Sequence, residues 1–437
     1  MIQTSALKRL FRRFVRHRSA VASSAVVLVY LLMAVVLLCG MILTEDDVSR
    51  RYGPMHRPGF GRTPPVEKRV MDCEWFVRYF EVALRKSDAL TALQNLEPVG
   101  MLIPRTDSVE ELQEIVDACN QHLIGIDASL EADDSGVTAG PQIEQLEQRI
   151  QSLFQPMSQR QQSQQARALL LGTDRQGRSI FYRAVFSIRT AILVGAITGL
   201  ASVVLGSILG MAAGLYGGAV DGAVTWLYST LASIPNLVLL VLLAHVFGGS
   251  AIDDFLNRIG DSLFADAPAA SSSANGSQEP EPPSRFTEWM EGKRIGDTLV
   301  PVYIAFIATF WIGPCRVVRG ETMRIRELEY VQAATVMGFG RMRILFRHVL
   351  PNVTYLMLIN FSLLFVGAIK SEVILSFLGL GVKNVPSWGI MIRDSKYEVS
   401  NGFFWQIGAA TAFMFVLVLA FNILSDALQD VLDPRHV

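Results

Sequence analysis

Long uncharged apolar runs alternate with polar segments along this chain. The first run, residues 20–44, contains no charged side chain and is long enough to cross about 30 Å of hydrocarbon as a helix. Later apolar runs predict five further spans, at about residues 190–215, 224–246, 299–315, 353–374 and 402–424. We therefore expect an all-α polytopic membrane protein with six transmembrane helices.

The distribution of basic residues predicts the orientation of these spans. Six Lys and Arg residues lie in the N-terminal flank 1–19, and Arg is frequent in the segment 319–351 between the fourth and fifth runs. Basic flanks and loops of this kind face the cytoplasm. Both termini are then cytoplasmic, and residues 45–169 and 249–298 lie outside. The run 20–44 is too long for the apolar core of a signal peptide, which predicts an uncleaved first span.

The composition supports membrane insertion and argues against several activities. Charged residues make up 18% of the chain and hydrophobic residues 51%, whereas soluble proteins have about 25% charged residues. The net charge of −1 provides no basic field for nucleic acid. The sequence has no Walker-type phosphate loop, no zinc-ligand spacing of cysteines and no catalytic constellation in the apolar runs. We expect a protein that is not an enzyme and holds no cofactor or metal itself.

The segment 45–169, called the insertion below, predicts a small helical domain outside the membrane. Helical patterns surround Cys73, cover residues 108–123 and begin again near Ile143. An extracytoplasmic compartment permits disulfides, so we predict a disulfide between Cys73 and Cys119. The middle of the second outer segment, 249–298, is rich in Ala, Ser and Pro and predicts a flexible linker.

Three features of the apolar runs have structural or functional interpretations. Small residues recur every fourth position in the second run, at Gly206, Gly210 and Gly214, which predicts close helix packing. Pro235 predicts a kink in the third span. Lys370 and Glu372 lie two residues apart, so their side chains should point in different directions. They either line the outer mouth of a translocation path or mark the membrane boundary.

The loop 319–351 predicts two short helices joined at glycine. One helical face carries Tyr330, Ala333, Ala334 and Met337, and Gly338 follows where a left-handed cap would stop the helix. A second face carries Met342, Leu345, Phe346 and Val349. Pro351 either closes this second helix or starts the next span. Alanine and glycine allow the backbone of a partner to approach closely.

This loop resembles the "EAA" loop of ABC importer permeases. The matching positions are Gln332, Ala333, Ala334, Gly338, His348, Leu350 and Pro351, with Gln332 in place of Glu and His348 in place of Ile. The segments LGTD…GR at 171–178, SFLGLG…PSWG at 376–389 and ILSDALQDVLDPR near the C-terminus resemble the dipeptide/oligopeptide/nickel subfamily of these permeases.

The resemblance implies a type I ABC importer permease fold, with residues 170–437 as the permease core. It implies half of a translocation path for peptides or similar small solutes in the bacterial cytoplasmic (inner) membrane. ATPase-coupling residues would be Gln332, Ala333, Ala334, Gly338, Leu350 and Pro351. The implied partners are a homologous permease in a heterodimer, one or two cytoplasmic ABC ATPase subunits that bind ATP and Mg²⁺, and an extracytoplasmic solute-binding protein.

Two alternatives stay open at the level of sequence. An ATP-independent secondary transporter or channel would need charges buried mid-span, and the apolar runs are almost devoid of them. An ABC exporter or signalling device could use the large insertion as a sensor.

Overall fold

The computed structural model describes residues 18–54, 66–86, 88–106, 108–132, 140–247, 300–381 and 385–432. Within these residues the regular secondary structure is helical, and β-pairing is limited to isolated bridges. The expectation of an all-α protein is confirmed. The basic side chains before Arg18, the predicted linker 249–298 and the last five residues lie outside the described part.

The helices follow each other in a simple order. The first half contains α1 (Arg18–Leu38), α2 (Glu45–Ser49), α3 (Val66–Leu84), α4 (Ala89–Gln94), α5 (Val109–Ala132), α6 (Gly140–Ser152), α7 (Gln159–Ala168), α8 (Ile180–Tyr216), α9 (Gly218–Ala232) and α10 (Asn236–Phe247). The second half contains α11 (Val300–Phe310), α12 (Ile312–Arg326), α13 (Glu329–Val336), α14 (Arg341–Ile344), a π-helical turn (Leu345–Val349), α15 (Leu350–Phe377), α16 (Trp388–Asp394), α17 (Lys396–Ser400) and α18 (Trp405–Leu432).

Among the described residues, five helices are long and apolar enough to cross a membrane. They are α1, α8, the continuous Val300–Arg326, the continuous Arg341–Phe377, and α18. The pair α9 and α10 makes a sixth candidate, but its two helices are bent by 92° at the break between them. The polytopic architecture is therefore confirmed, with five to six candidate spans.

The third predicted span differs most from expectation. The sequence predicted a span at about residues 224–246 with a kink at Pro235, whereas α9 already begins at Gly218. Helix α9 ends at Ala232, and the next residue, Ser233, caps it. The Ser233 hydroxyl donates to the carbonyl of Thr230 at 2.7 Å. Pro235 lacks an N–H and cannot continue the α-helical hydrogen bonds, so the chain breaks instead of kinking.

The chain divides into two compact units. The first comprises residues 1–39, 187–393 and 413–437, and the second comprises residues 40–186 and 394–412. In the first unit the predicted packing through small residues is confirmed. A Cβ on Gly210 would lie 2.6 Å from the carbonyl oxygen of Cys315, and one on Gly214 would lie 2.7 Å from the Cβ of Thr322. The backbones of α8 and α12 are thus in direct contact.

The second unit contains a helical bundle with its own hydrophobic core. Helices α3, α5 and α6 bury residues at alternating spacings of three and four, the pattern of helices that pack lengthwise. The core residues on α5 are Leu112, Val116, Cys119, Leu123 and Ile126. A bidentate pair joins α3 to α6, with Arg69 Nε and a terminal guanidinium nitrogen 2.8 and 2.7 Å from the carboxylate oxygens of Glu147.

The disulfide predicted between Cys73 and Cys119 is not present. Both are free thiols buried in the bundle core, at 3% and 0% exposure. They occupy positions where a small apolar side chain packs well, and free cysteine behaves as such a side chain. Burial raises the pKa of the Cys73 thiol to about 12 and that of the Cys119 thiol to about 11.

Candidate functional site

Helix α13 ends in a tight glycine cap. Gly338 has a φ of +80°, the left-handed conformation that glycine adopts without a steric penalty. The N–H of Phe339 donates to the carbonyl of Ala334 at 3.1 Å, and the N–H of Gly338 donates to that of Thr335 at 3.0 Å. These two bonds define a Schellman motif. A Cβ on Gly338 would meet nothing within 4 Å, so the backbone conformation, not lack of space, requires glycine.

The second part of the loop is not a separate helix. Helix α14, the π-helical turn and α15 form one continuous helix from Arg341 to Phe377. Pro351 is the second residue of α15 and follows the π-helical turn directly, inside this continuous helix. A proline removes one hydrogen bond from the helical ladder, and an irregular turn next to it is a usual way for a helix to accommodate that loss. Pro351 therefore does not close the second helix, because the helix continues through it into the next span. The π-helical turn contains His348 and shifts the helical register there.

The faces predicted for the loop are only partly correct. In α13, Val331 and Ala334 are buried, whereas Tyr330 and Met337 are 45% and 67% exposed. In the second helix Leu345 and Val349 are buried, whereas Met342 and Phe346 are exposed. The buried residues form one core with Met211 and Leu215 of α8, Val318 and Ile325 of α12, Ile344 and Val353. The loop therefore rests on two transmembrane helices.

The remaining apolar side chains of the loop face outward. We call Tyr330, Val336, Met337, Phe339, Met342 and Phe346 the outward apolar residues of the loop. Val336 is the most exposed of them, at 89%. Arginines flank this set: the Arg343 guanidinium lies 5.5 Å from the Phe339 ring, and the Arg341 guanidinium 5.3 Å from the ring of Tyr216. A surface of large apolar and cationic side chains is typical of a protein-docking site.

The predicted coupling residues occupy different environments. Gln332, Ala333, Gly338 and Pro351 are exposed, Ala334 is buried, and Leu350 is half-buried against the core below the loop. The Gln332 amide donates to the carbonyl of Glu327 at 3.2 Å. The ring of His348 lies 5.8 Å from that of Tyr330, and the Asn352 amide donates to the Tyr330 hydroxyl at 3.1 Å. The two positions that depart from the motif, Gln332 and His348, thus have different contacts.

An ion pair that the sequence did not indicate connects α9 and α12, and α12 leads directly into the loop. Arg319 of α12 forms a bidentate pair with Asp221 of α9, with one nitrogen–oxygen distance of 2.8 Å. Arg326, near the end of α12, donates to the carbonyl of Gly214 at 3.3 Å. Both arginines thus tie α12 to neighbouring helices just before α13 begins.

Lys370 and Glu372 point in different directions, as expected from their spacing. Lys370 is exposed, whereas Glu372 is 1% exposed and accepts a hydrogen bond of 2.7 Å from the Ser376 hydroxyl. Glu372 is therefore enclosed by protein in this structure, and the assignment of the pair to a path mouth or to the membrane boundary stays a prediction. The chain after α15 folds back against the same turn: a Cβ on Gly389 would lie 2.6 Å from the Ser376 Cβ.

A buried ionic cluster occupies the second unit, and no local sequence pattern indicates its pairing. Arg183 and Arg178 share Asp174, at 2.6 and 2.8 Å, and both reach Asp394 at 3.3 and 3.4 Å. Arg183 and Asp174 are almost completely buried. Nearby, Glu398 accepts the N–H of Arg175 at 2.8 Å. Burial raises the pKa of the Glu398 carboxyl.

The candidate spans and the loop packed on them define a polytopic membrane protein with an exposed docking surface. The chain belongs to the family described as binding-protein-dependent transport system inner membrane component, whose profile matches residues 202–436. A second profile, the N-terminal transmembrane domain of oligopeptide transport permease C, matches residues 5–54. The chain is therefore a multi-pass inner-membrane permease subunit of an ABC importer.

Curated relatives are similar over about three fifths of the chain. The dipeptide transport system permease protein DppC of Bacillus subtilis is 28% identical over 265 residues, 60% of this chain and 68% of the relative. The oligopeptide transport system permease protein OppC of Haemophilus influenzae is 29% identical over 267 residues, 60% of this chain and 70% of the relative. The glutathione transport system permease protein GsiD of Pectobacterium atrosepticum is 29% identical over 266 residues, 61% and 72% of the two chains.

Proposed function

We propose that this permease forms half of a translocation path for short peptides. Its other half would be a homologous permease, and an extracytoplasmic solute-binding protein would deliver the cargo. ATPase subunits would dock on the loop 319–351 and supply ATP and Mg²⁺, because the sequence has no phosphate-binding loop. Both termini would be cytoplasmic. The peptide cargo is proposed because dipeptide, oligopeptide and glutathione systems stand among the relatives.

The observation that carries the docking proposal is the outward apolar set on the loop. Val336, Met337 and Phe346 are 89%, 67% and 59% exposed, although the same short segment also has a well-packed buried face. Leaving several large apolar side chains in water is unfavourable, and covering them with a partner recovers this free energy. The Schellman cap fixes the joint between the two helices, so this surface is formed before the partner binds.

The buried face of the loop supplies a route for motion. Val331 and Ala334 pack against Met211 and Leu215 of α8 and against Val318 and Ile325 of α12. Displacement of α13 by a closing ATPase would therefore move both helices. A closely packed core has low compressibility, so it passes a displacement on to its neighbours instead of absorbing it. The spans would then alternate between inward-open and outward-open states. No covalent chemistry is required of this chain.

Co-purification tests the docking surface. The chain is co-expressed with its partner subunits, purified in detergent, and assayed for retained ATPase. We expect retention by the wild type and loss in Val336→Asp, which places a charge on the docking face, and in Gly338→Arg, which also strains the cap. Ile124→Asp is the matched control, because Ile124 is a similarly exposed apolar residue of α5, at 70%.

Two outcomes would count against the proposal. If both loop variants retain the ATPase as the wild type does, the loop is not the docking site. If wild-type protein carries no ATPase although the partner subunits are expressed, the proposed assembly is wrong. Uptake of labelled dipeptides into vesicles, compared with uptake of sugars, tests the cargo separately.

A further inference from the structure

Two adjoining cavities lie in the second unit and share part of their walls. One has a volume of about 640 Å³ and the other about 570 Å³. Both are lined by Arg51, Glu97 and Pro98. We call the two together the charged groove. Each is within the size range of small-molecule binding sites, and the pair offers room for an elongated ligand.

The larger cavity combines aromatic and charged side chains. The rings of Trp75 and Tyr79 stack in its wall, with centroids 5.5 Å apart and planes 13° apart. Arg51 and Arg175 line the same cavity. Neither guanidinium forms an ion pair with any carboxylate in the described part of the chain, and the same holds for Glu97. Charges of both signs thus line one concave surface. The Arg175 guanidinium lies 5.9 Å from the centre of the Tyr397 ring, a contact that leaves its charge without a carboxylate partner among the described residues.

The backbone around the groove is fixed by hydrogen bonds between distant segments. The N–H of Tyr52 donates to the carbonyl of Gly177 at 2.7 Å, and the N–H of Gly100 donates to that of Arg51 at 2.6 Å. Arg175 is held through its N–H by Glu398 at 2.8 Å. A Cβ on Gly100 would lie 2.5 Å from the Tyr52 ring, so this turn approaches as closely as glycine allows. The backbone positions of Arg51 and Arg175 are therefore fixed before any ligand binds.

The balance of charges selects the class of ligand. The charged residues that line the groove are Arg50, Arg51, Arg175, Asp46 and Glu97. A polyanion such as a nucleotide would be repelled by two carboxylates, and a polycation would be repelled by three guanidiniums. A zwitterion finds an opposite charge for each of its two ends. Arginine also holds a carboxylate through paired hydrogen bonds, which makes it the preferred partner of that group.

We propose that the charged groove binds a short peptide with free termini. The peptide carboxylate lies on Arg51 and Arg175, its ammonium group faces Glu97, and an apolar side chain packs on Trp75 and Tyr79. This goes beyond the proposed transport function, because it assigns a second peptide site to the chain, apart from any translocation path. A peptide held there would raise the local cargo concentration beside the permease.

Isothermal titration calorimetry of the full chain in lipid nanodiscs, with its co-purifying subunits, tests this site. The probes are the tripeptide Ala-Phe-Ala, its C-terminal amide and its N-acetylated form. Binding of the free tripeptide is expected. The amide should bind at least about tenfold more weakly, since it lacks the carboxylate that makes charge-assisted bonds to arginine. The acetylated form should lose affinity in the wild type but little further in Glu97→Gln.

The double variant Arg51→Gln/Arg175→Gln should reproduce the loss seen with the amide. Lys86→Gln is the matched control, because exposed Lys86 lines a different cavity of the same unit, and it should bind as the wild type does. Elution volume and thermal unfolding establish that the variants are folded, and the amide probe needs no variant at all.

Three results would overturn the proposal: no binding of Ala-Phe-Ala to the wild type, equal affinity for the amide, or unchanged affinity in the double variant. The last result would locate the peptide elsewhere in the complex. The outcome is independent of the ATPase docking test. A complex without ATPase that still binds peptide through Arg51 and Arg175 would refute the importer assembly and keep the groove.

Discussion

Arg183 holds a full positive charge at a site from which water is almost completely excluded. It is 2% exposed, and its guanidinium lies 2.6 Å from Asp174 and 3.3 Å from Asp394. Desolvating the three groups is costly, so the cluster adds little net stability by itself. Removing one partner is a different matter, because it leaves an uncompensated charge buried.

Asp174→Asn should destabilise the protein by about 3–5 kcal/mol, since Arg183 keeps its charge and loses its shortest ion pair. Thermal unfolding in detergent, followed by thiol-reactive fluorescence, measures the change. Arg160→Gln, an exposed arginine of α7, should leave the midpoint unchanged. The double variant Asp174→Leu/Arg183→Met should be more stable than Asp174→Asn. If it is less stable, the ionic cluster itself contributes the stability.

The buried thiols give a pH-dependent prediction at the same scale. Thiolate is the reactive form, and burial raises the pKa values of Cys73 and Cys119 to about 12 and 11, so both should resist maleimide at pH 8. Exposed Cys39 should react. At pH 10 both thiols should still fail to react with maleimide, unless the bundle unfolds. Unfolding without reductant should make all four cysteines reactive, and a count of two would indicate that a disulfide forms in the cell.

At the scale of single elements, the close contact between α8 and α12 depends on glycines in α8, which have no side chain. A Cβ on Gly210 would lie 2.6 Å from a carbonyl of α12. Gly210→Val should therefore force the helices apart and cost about 1–3 kcal/mol or more through overpacking. Gly320→Val in α12 is the matched control, since a Cβ there meets nothing within 4 Å. Equal unfolding midpoints for the two variants would contradict the proposed contact.

Sequence patterns predicted elements better than they predicted faces. Charge-free runs longer than a membrane is thick admit few alternatives, so α1, α8, α15 and α18 were anticipated near their positions. The loop helices carry apolar residues on two faces, and periodicity alone does not distinguish a face that meets the core from one that meets a partner. The sequence therefore grouped Tyr330, Ala334 and Met337 on one face of α13, without indicating that Ala334 is buried and the other two are exposed.

The ionic cluster illustrates a different limit. Arg183 and Asp394 are separated by 211 positions, and no local pattern connects residues so far apart. Glu372 shows the same limit, because its burial depends on the chain returning after α15 to cover it. A kink at Pro235 was predicted at the correct position, but neither the break in the helix nor its angle of 92° follows from the local sequence.

At the scale of the whole molecule, the bundle in the second unit has the features of an independently folding module. Every buried residue of its core lies between Val70 and Phe154. The N–H of Gln155 donates to the carbonyl of Ile103 at 2.8 Å, and that of Arg105 to Leu153 at 2.9 Å, which closes the end of the bundle.

A fragment of residues 66–155 should therefore fold alone in water as a monomeric helical protein. Circular dichroism and gel filtration would show a cooperative unfolding transition and a compact elution volume. Leu146→Asp, at a position with 0% exposure, should abolish that transition. An aggregated or unfolded wild-type fragment would mean that the bundle depends on the rest of the chain.

The glycine contact between α8 and α12 also restricts how this permease can move. At Gly206, Gly210 and Gly214 helix α8 contributes no side chain to the contact, so its backbone lies directly against the carbonyls and the short side chains of α12, which resist small sliding. The two helices then behave as a single lever whose short arm is α13, connected to α12 through Glu327 and Leu328. Flexing must occur elsewhere, and the sharp joint between α9 and α10 is the nearest place where the helical rods are already interrupted.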